Sequence, residues 1–146
     1  MRALALVGEP ALLLAVGLLA GALGGGAAAL WVLSIVATLP GVLIAKRLWR
    51  RPRPGAWDRP RVDADGFAGP VGTCPGWSFP SAHAACAAAA ATVAATLGWP
   101  VALLAALISS GVAVSRVYLG HHYPLDVVIG AAWGTCVALL LRGIMA

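Results

Sequence analysis

Five apolar stretches make up most of this 146-residue chain, and one long polar stretch interrupts them. Their approximate bounds are Ala3 to Leu23, Ala27 to Leu48, Ser81 to Leu97, Val101 to Leu119 and Pro124 to Leu141. A helix needs roughly 17 to 25 residues to cross a hydrocarbon core of about 30 Å, and all five look able to do so. Gly24-Gly25-Gly26 separates the first pair and Gly98-Trp99-Pro100 the third from the fourth. Links so rich in helix breakers imply tight turns. Arg50 to Phe79, rich in Pro, Gly, Arg and Asp, is the one place with room for an extramembrane loop. Lipid as the solvent agrees with 61% hydrophobic and 10% charged residues, where a soluble domain has about 25% charged. The expected fold class is all-α: a polytopic transmembrane helical bundle of about five membrane helices, forming a single domain over residues 1–146.

The first stretch also resembles a signal peptide, with Arg2 as n-region and Ala27-Ala28-Ala29 as cleavage site. Glu9-Pro10 is unusual in such a segment and reads more simply as an interfacial helix start. Cys74, Cys86 and Cys136 have no metal-ligand spacing and read as small apolar fillers plus one loop thiol. The Ala-rich run after Ser81 lets neighbouring backbones approach closely, as membrane helix packing requires.

Packing does not explain the ionisable residues. Lys46 lies near the end of the second stretch, Arg53 follows it, and His83 starts the third. Arg116 ends the fourth, and His122 and Asp126 start the fifth. If successive helices alternate in direction, all of these ends share one membrane face. Charges at that depth are costly unless paired, so the set calls for an anion, and phosphate fits best. Pro80-Ser81-Ala82-His83 reads as a helix start whose unpaired N–H groups and dipole attract an oxyanion. Arg53 and Arg116 offer multidentate donors, and Lys46 a compact charge. His122 and Asp126, four residues apart, can place a carboxylate on one imidazole nitrogen and leave the other free to attack.

Lys46 to Pro54 fits Kx6RP, Pro80 to His83 resembles PSGH, and Ser115-Arg116-x5-His122-x3-Asp126 fits SRx5Hx3D. Together the segments 46–54, 80–83 and 115–126 resemble the three-part signature of the type 2 phosphatidic acid phosphatase (PAP2) superfamily of membrane lipid phosphatases. The resemblance implies His122 as nucleophile through a phosphohistidine, Asp126 orienting it, and His83 protonating the leaving group. It assigns the phosphoryl oxygens to Lys46, Arg53, Ser81, Ala82 and Arg116, and it implies no metal or other cofactor. The spacing to Asp126 selects His122 over His121, which reads as a residue at the rim or one that supports the site residues from behind. Ala82 departs from the usual Gly. The family commonly has six membrane helices, so either one is missing here or the segmentation of residues 2–48 is at fault.

Arg47, Arg50 and Arg51 read as a basic flank, Asp58, Asp63 and Asp65 as solvated loop charges, and Trp49, Trp77, Trp99, Tyr118 and Tyr123 as interfacial anchors. Trp31 and Trp133, well inside their stretches, could line a lipid groove, and ordinary packing is the favoured reading. Arg2, Arg47, Arg50, Arg51, Arg59 and Arg61 on the polar face, against Arg142 opposite, put that face toward the cytoplasm of a bacterial inner (plasma) membrane. Many relatives face outward, so the charge count and the resemblance pull apart.

The expected substrate is a lipid phosphate among membrane lipids: a polyprenyl phosphate, diphosphate or polyprenyl-phosphoryl sugar phosphate by preference, or phosphatidic acid or phosphatidylglycerophosphate. An Ala/Gly/Arg-heavy composition suggests a GC-rich genome, and an actinobacterial source makes decaprenyl-phosphoryl-phosphoribose a specific candidate by family analogy. Other readings are a vanadate-dependent haloperoxidase, a non-catalytic anion-binding membrane protein, and a phosphotransferase using the same histidine. No nucleic-acid partner is expected, and small-residue faces mildly favour a homodimer.

Overall fold

The computed structural model describes residues 9–22, 26–54 and 77–145. The turn at 23–25 and the loop residues 55–76, with Asp58, Arg59, Arg61, Asp63, Asp65 and Cys74, lie outside the described residues, as does Arg2. Among the described residues five α-helices follow in order: α1 (Pro10–Ala22), α2 (Gly26–Trp49), α3 (Ala82–Ala94, continued by a 3-10 turn at Ala95–Leu97), α4 (Trp99–Tyr118) and α5 (Pro124–Met145). The expected all-helical membrane bundle is what forms. Of the five, α2, α4 and α5 are long and apolar enough to cross a membrane. The described α1 has 13 residues, about 20 Å at 1.5 Å per residue, and α3 with its 3-10 turn runs Ala82–Leu97, close to the stretch read from sequence but below the length of the other three.

Burial explains why α3 tolerates being short. It packs against all four other helices. Ala84 to Ala90, Val93 and Ala94 are buried, so its faces meet protein and not lipid. The large apolar side chains point outward instead, among them Leu18, Leu19, Leu104, Leu107, Val128 and Leu140. Such a distribution suits a lipid solvent, where helix association depends on close backbone approach and not on burying leucines.

The closest approach joins α3 to α5. Gly130 and Gly134, one turn apart on α5, face Ser81 and Ala85, one turn apart on α3. A Cβ on Gly130 would lie 2.5 Å from the Ser81 carbonyl oxygen, and one on Gly134 would overlap the Ala85 carbonyl. Trp133, on the adjoining face, lies against Gly41 and donates its indole N–H to the Thr38 carbonyl at 3.1 Å, tying α5 to α2. Trp31 likewise donates to the Leu13 carbonyl at 2.9 Å, tying α2 to α1. Both tryptophans therefore tie neighbouring helices, while Trp31 also lines an apolar cleft and Trp133 keeps part of its ring exposed.

The α3–α4 link is tighter than the sequence suggested. Gly98 alone, at φ +117, makes the turn, while Trp99 and Pro100 already belong to α4. Pro at the first helical turn loses no hydrogen bond.

Replacing Gly134 with Val should drive α3 from α5 and lower stability by about 3 kcal/mol, the upper part of the range for overpacking. Gly143→Ala, which meets open space, should raise stability slightly through helix propensity. Thermal melts of the two variants in detergent, beside the unmodified chain, measure both effects.

Candidate active site

The base of the polar loop is pinned by backbone bonds. α2 ends at Trp49, and Arg50, at φ 43, turns the chain back. Pro52 then bridges to Trp77, Ser78 N–H donates to the Arg51 carbonyl at 2.7 Å, and Ser78 Oγ–H donates to the Pro52 carbonyl at 3.0 Å. Ser78 is fully buried, and its remaining polar group, the carbonyl, accepts from His122 Nδ1 at 2.6 Å. A carbonyl can only accept, so Nδ1 carries the imidazole proton and Nε2 keeps its lone pair.

A second turn brings His122 there. Gly120, at φ +69, ends α4 in the left-handed region that a glycine adopts at least cost, and the N–H groups of His121 and His122 both fold back onto the Arg116 carbonyl, at 3.1 and 3.2 Å. Arg116 is itself buried, and its Nη2 donates to His121 Nδ1. His121 therefore steadies a guanidinium, which gives the rim residue a definite contact.

Asp126 corrects the sequence reading. Its carboxylate was expected on an imidazole nitrogen, but Oδ2 lies 3.9 Å from His122 Nδ1, too far for a hydrogen bond. The two oxygens are committed elsewhere. Oδ2 accepts from the Tyr123 N–H at 2.9 Å, the reach-back contact of a capping box at the start of α5, and Oδ1 pairs with Arg51 Nη1 at 2.9 Å. The Arg51 guanidinium also lies 4.1 Å from the centre of the Tyr123 ring. Arg51 is thus a partner of the site and not a basic flank, and Tyr123 does more than anchor an interface.

Ser81 caps α3, its hydroxyl accepting from the Ala84 N–H at 3.4 Å while its own N–H donates to the Asp126 carbonyl at 2.9 Å. The first-turn N–H groups of Ala82 and His83 belong to the set that no helical carbonyl can satisfy. Lys46, buried at the end of α2, donates to the Trp77 carbonyl at 2.9 Å. Nε of Arg53 and Nε of Arg116 are buried without a hydrogen-bond partner. His83 Nε2 meets Glu9 Oε2 at 2.9 Å.

The electrostatics agree with a neutral His122. Burial first, then the charges of Lys46 and Arg53, push it down to about 2, against a weaker opposing effect of the Ser78 carbonyl. His121 is lowered to about 4, by burial and then by Arg116 and Arg53. The structure therefore brings together all eight residues read as a site from sequence, and adds Ser78, Arg51 and Glu9. Ser78 contributes a carbonyl, which leaves no trace in residue identity. Glu9 had a signal: it is the only glutamate in the chain and opens an apolar segment. Among the described residues no group of His, Cys, Asp and Glu converges as a metal-binding set.

One turn from Glu9, His83 and Arg116 toward the bundle interior, Leu13, Ala87 and Val112 line an apolar cleft of about 200 Å³ between α1, α2, α3 and α4. The polar cradle and the apolar cleft are thus one helical turn apart.

Proteins of known kind share both sequence and shape. Over 114 residues the chain is 40% identical to a decaprenylphosphoryl-5-phosphoribose phosphatase of Mycobacterium tuberculosis, covering 76% of this chain and 56% of that protein. The match to the protein of the same name from Mycolicibacterium smegmatis is 44% over 89 residues, 60% of this chain and 43% of that one. The chain spans about half the length of these curated relatives. The crystal structure of a transmembrane PAP2-type phosphatidylglycerolphosphate phosphatase from Bacillus subtilis superposes with TM-score 0.78 at 25% identity, covering 99% of this chain and 74% of that one. Aquifex aeolicus LpxE gives TM-score 0.78 at 23% identity, covering 97% and 82%, a likeness of fold. Apolar spans and membrane neighbours make this an integral membrane protein. The PAP2 superfamily model matches residues 25–146, which include all three motifs, and the chain belongs to that superfamily.

Proposed function

We propose that this protein is a metal-independent lipid phosphatase acting through a phosphohistidine on His122. The observation that carries the reading is the Nδ1–H of His122 held by the Ser78 carbonyl, which leaves Nε2 as a neutral nucleophile beside Lys46, Arg53 and Arg116. The lone pair of Nε2 forms the N–P bond as the bond from phosphorus to the leaving oxygen breaks, and that oxygen takes a proton from His83. Water then attacks the phosphohistidine, returning a proton to His83 and releasing inorganic phosphate. The unpartnered Nε groups of Arg53 and Arg116, Lys46 and the N–H groups of Ala82 and His83 stabilise the phosphoryl charge as it develops. Ser81 contributes by capping α3 and setting those N–H groups. Asp126 acts on His122 at a distance, by holding the start of α5 and Arg51.

The substrate we favour is a polyprenyl-phosphoryl sugar phosphate of the kind named for the mycobacterial relatives, cleaved at the sugar phosphomonoester. The apolar cleft one turn inside the cradle supports a lipid-linked substrate. Lys46, Arg47, Arg50 and Arg51 cluster at the site end of the bundle and Arg142 lies at the other, which favours a plasma membrane with the site toward the cytoplasm.

Purified protein in detergent with EDTA should release phosphate from decaprenyl-phosphoryl phosphoribose, and His122→Ala should lower that release by about 10³-fold or more. Equal silence of both proteins over that substrate, phosphatidic acid, phosphatidylglycerophosphate and polyprenyl diphosphate would return the chain to an anion-binding role.

His122 also couples stability to pH. Its folded value, about 2, lies below the ordinary 6.5, so the folded state binds fewer protons and the contribution is complete only above 6.5. Stability should fall by about 1.4 kcal/mol per unit as pH drops below that value, and His122→Asn should flatten this dependence in detergent melts between pH 7 and about 4.

A further inference from the structure

Among the described residues, Glu9 is the group in contact with a proposed catalytic side chain that the family's match does not reach, since the matched residues begin at 25. Its backbone carbonyl accepts from Leu13 N–H at 3.1 Å, so it caps α1 with Pro10 as the first helical residue. Capping uses only the main chain, and the carboxylate extends across to α3 instead. There Oε2 meets His83 Nε2 at 2.9 Å, with both side chains partly buried, 29% and 21% exposed.

The charges facing His83 are otherwise cationic. Arg116 comes from α4 and Arg53 from the segment after α2, and His121 from the α4–α5 turn faces the same space. Burial first, then Arg116 and Arg53, lower His83 from its ordinary value, and Glu9 opposes them without reversing the direction. A proton donor to an alkoxide has to hold its proton until the P–O bond breaks, so a histidine among arginines needs a carboxylate to do that work. Bound phosphate would offset the arginines, while Glu9 is in place before substrate arrives.

We propose that Glu9 is a positioning residue for His83, fixing the imidazole through Nε2 and favouring the ring that carries a second N–H for the leaving oxygen. The proposal rests on the reading of His83 as proton donor given above. It makes α1 a functional element, carrying a carboxylate to the site from outside the family's matched residues.

The readout is the dependence on leaving group. A nitrophenolate leaves without help, whereas an alkoxide needs a proton, so only the second reaction draws on Glu9. kcat/KM, which covers steps through formation of the phosphoenzyme, is measured for a long-chain alkyl phosphate and for p-nitrophenyl phosphate with the unmodified chain, Glu9→Gln, Glu9→Asp, His83→Asn and the Glu9→Gln/His83→Asn pair. Glu9→Gln should lower kcat/KM for the alkyl phosphate about 10-fold or more and change the nitrophenyl value by no more than about 2-fold. Glu9→Asp should recover part of the loss, and Glu9→Gln should cost nothing further once His83 is Asn. The ratio of the two substrates is independent of the folded fraction, so a poorly folding variant still gives an answer. A ratio unchanged in Glu9→Gln while His83→Asn shifts it would overturn the role of Glu9 and leave His83 as the donor. A ratio unchanged in His83→Asn would remove the proton-donor reading itself.

Discussion

The rest of the structure depends on how closely α5 can lie against α3. With hydrogen in place of side chains at Gly130 and Gly134, the two helices approach until carbonyl groups of one meet the glycines of the other, and the Ser81 N–H reaches the Asp126 carbonyl. Two helix starts are thereby held at one depth, each turning the positive end of its dipole toward the site, and α3 adds the free first-turn N–H groups of Ala82 and His83. His83 and Asp126 are carried into place by that contact, and His122 by the turn leading into α5. Any separation of α3 from α5 would pull apart the two histidines before it disturbed either helix, so packing and chemistry fail together here.

The carboxylate that sequence spacing assigned to His122 instead secures the architecture around it. Asp126 caps α5 through Tyr123 and neutralises Arg51, a guanidinium stacked on the same tyrosine. An aspartate bonded directly to Nδ1 would favour a protonated His122, because a carboxylate stabilises the imidazolium. A backbone carbonyl fixes the same tautomer without supplying a full negative charge. Burial among three cations then keeps the ring neutral, which is the form that can attack phosphorus.

How much of this was legible follows from which atoms do the work. Side chains that act through their own charge at helix ends, Lys46, Arg53, His83, Arg116 and His122, are readable because alternating helices put those ends on one face. The five helices were readable from apolar runs separated by breakers, although the short, enclosed α3 looked like a span because an Ala-rich core helix and a lipid-facing one have similar composition. Contacts made by main-chain groups left no such mark. The Ser78 carbonyl on His122 arises from the folding back of the loop base, and any residue there supplies a carbonyl. Arg51 was hidden among neighbouring arginines, since periodicity does not say which of Arg47, Arg50 and Arg51 turns inward. The capping role of Asp126 was masked by its spacing from His122, which is equally compatible with an N3 position in α5 and with a contact to the ring.

Placing the cradle at a helix-end plane also limits what can react there. The polar groups lie one turn from an apolar cleft, so the proposed lipid phosphate would set its phosphate among cations and its chain among Leu13, Ala87 and Val112 as parts of one molecule. Inorganic phosphate or a soluble sugar phosphate would meet the same cations without filling the cleft, and would gain none of the roughly 25 cal/mol per Å² that apolar burial contributes. The same placement divides the two histidines. His122, walled by protein, is neutral through burial, while His83, more open and at the mouth of α3, meets a carboxylate from α1. Two imidazoles within one site are thus given opposite surroundings, which is what the proposed division into a nucleophile and a proton donor requires, and the lipid-facing helices need do no more than hold those surroundings apart.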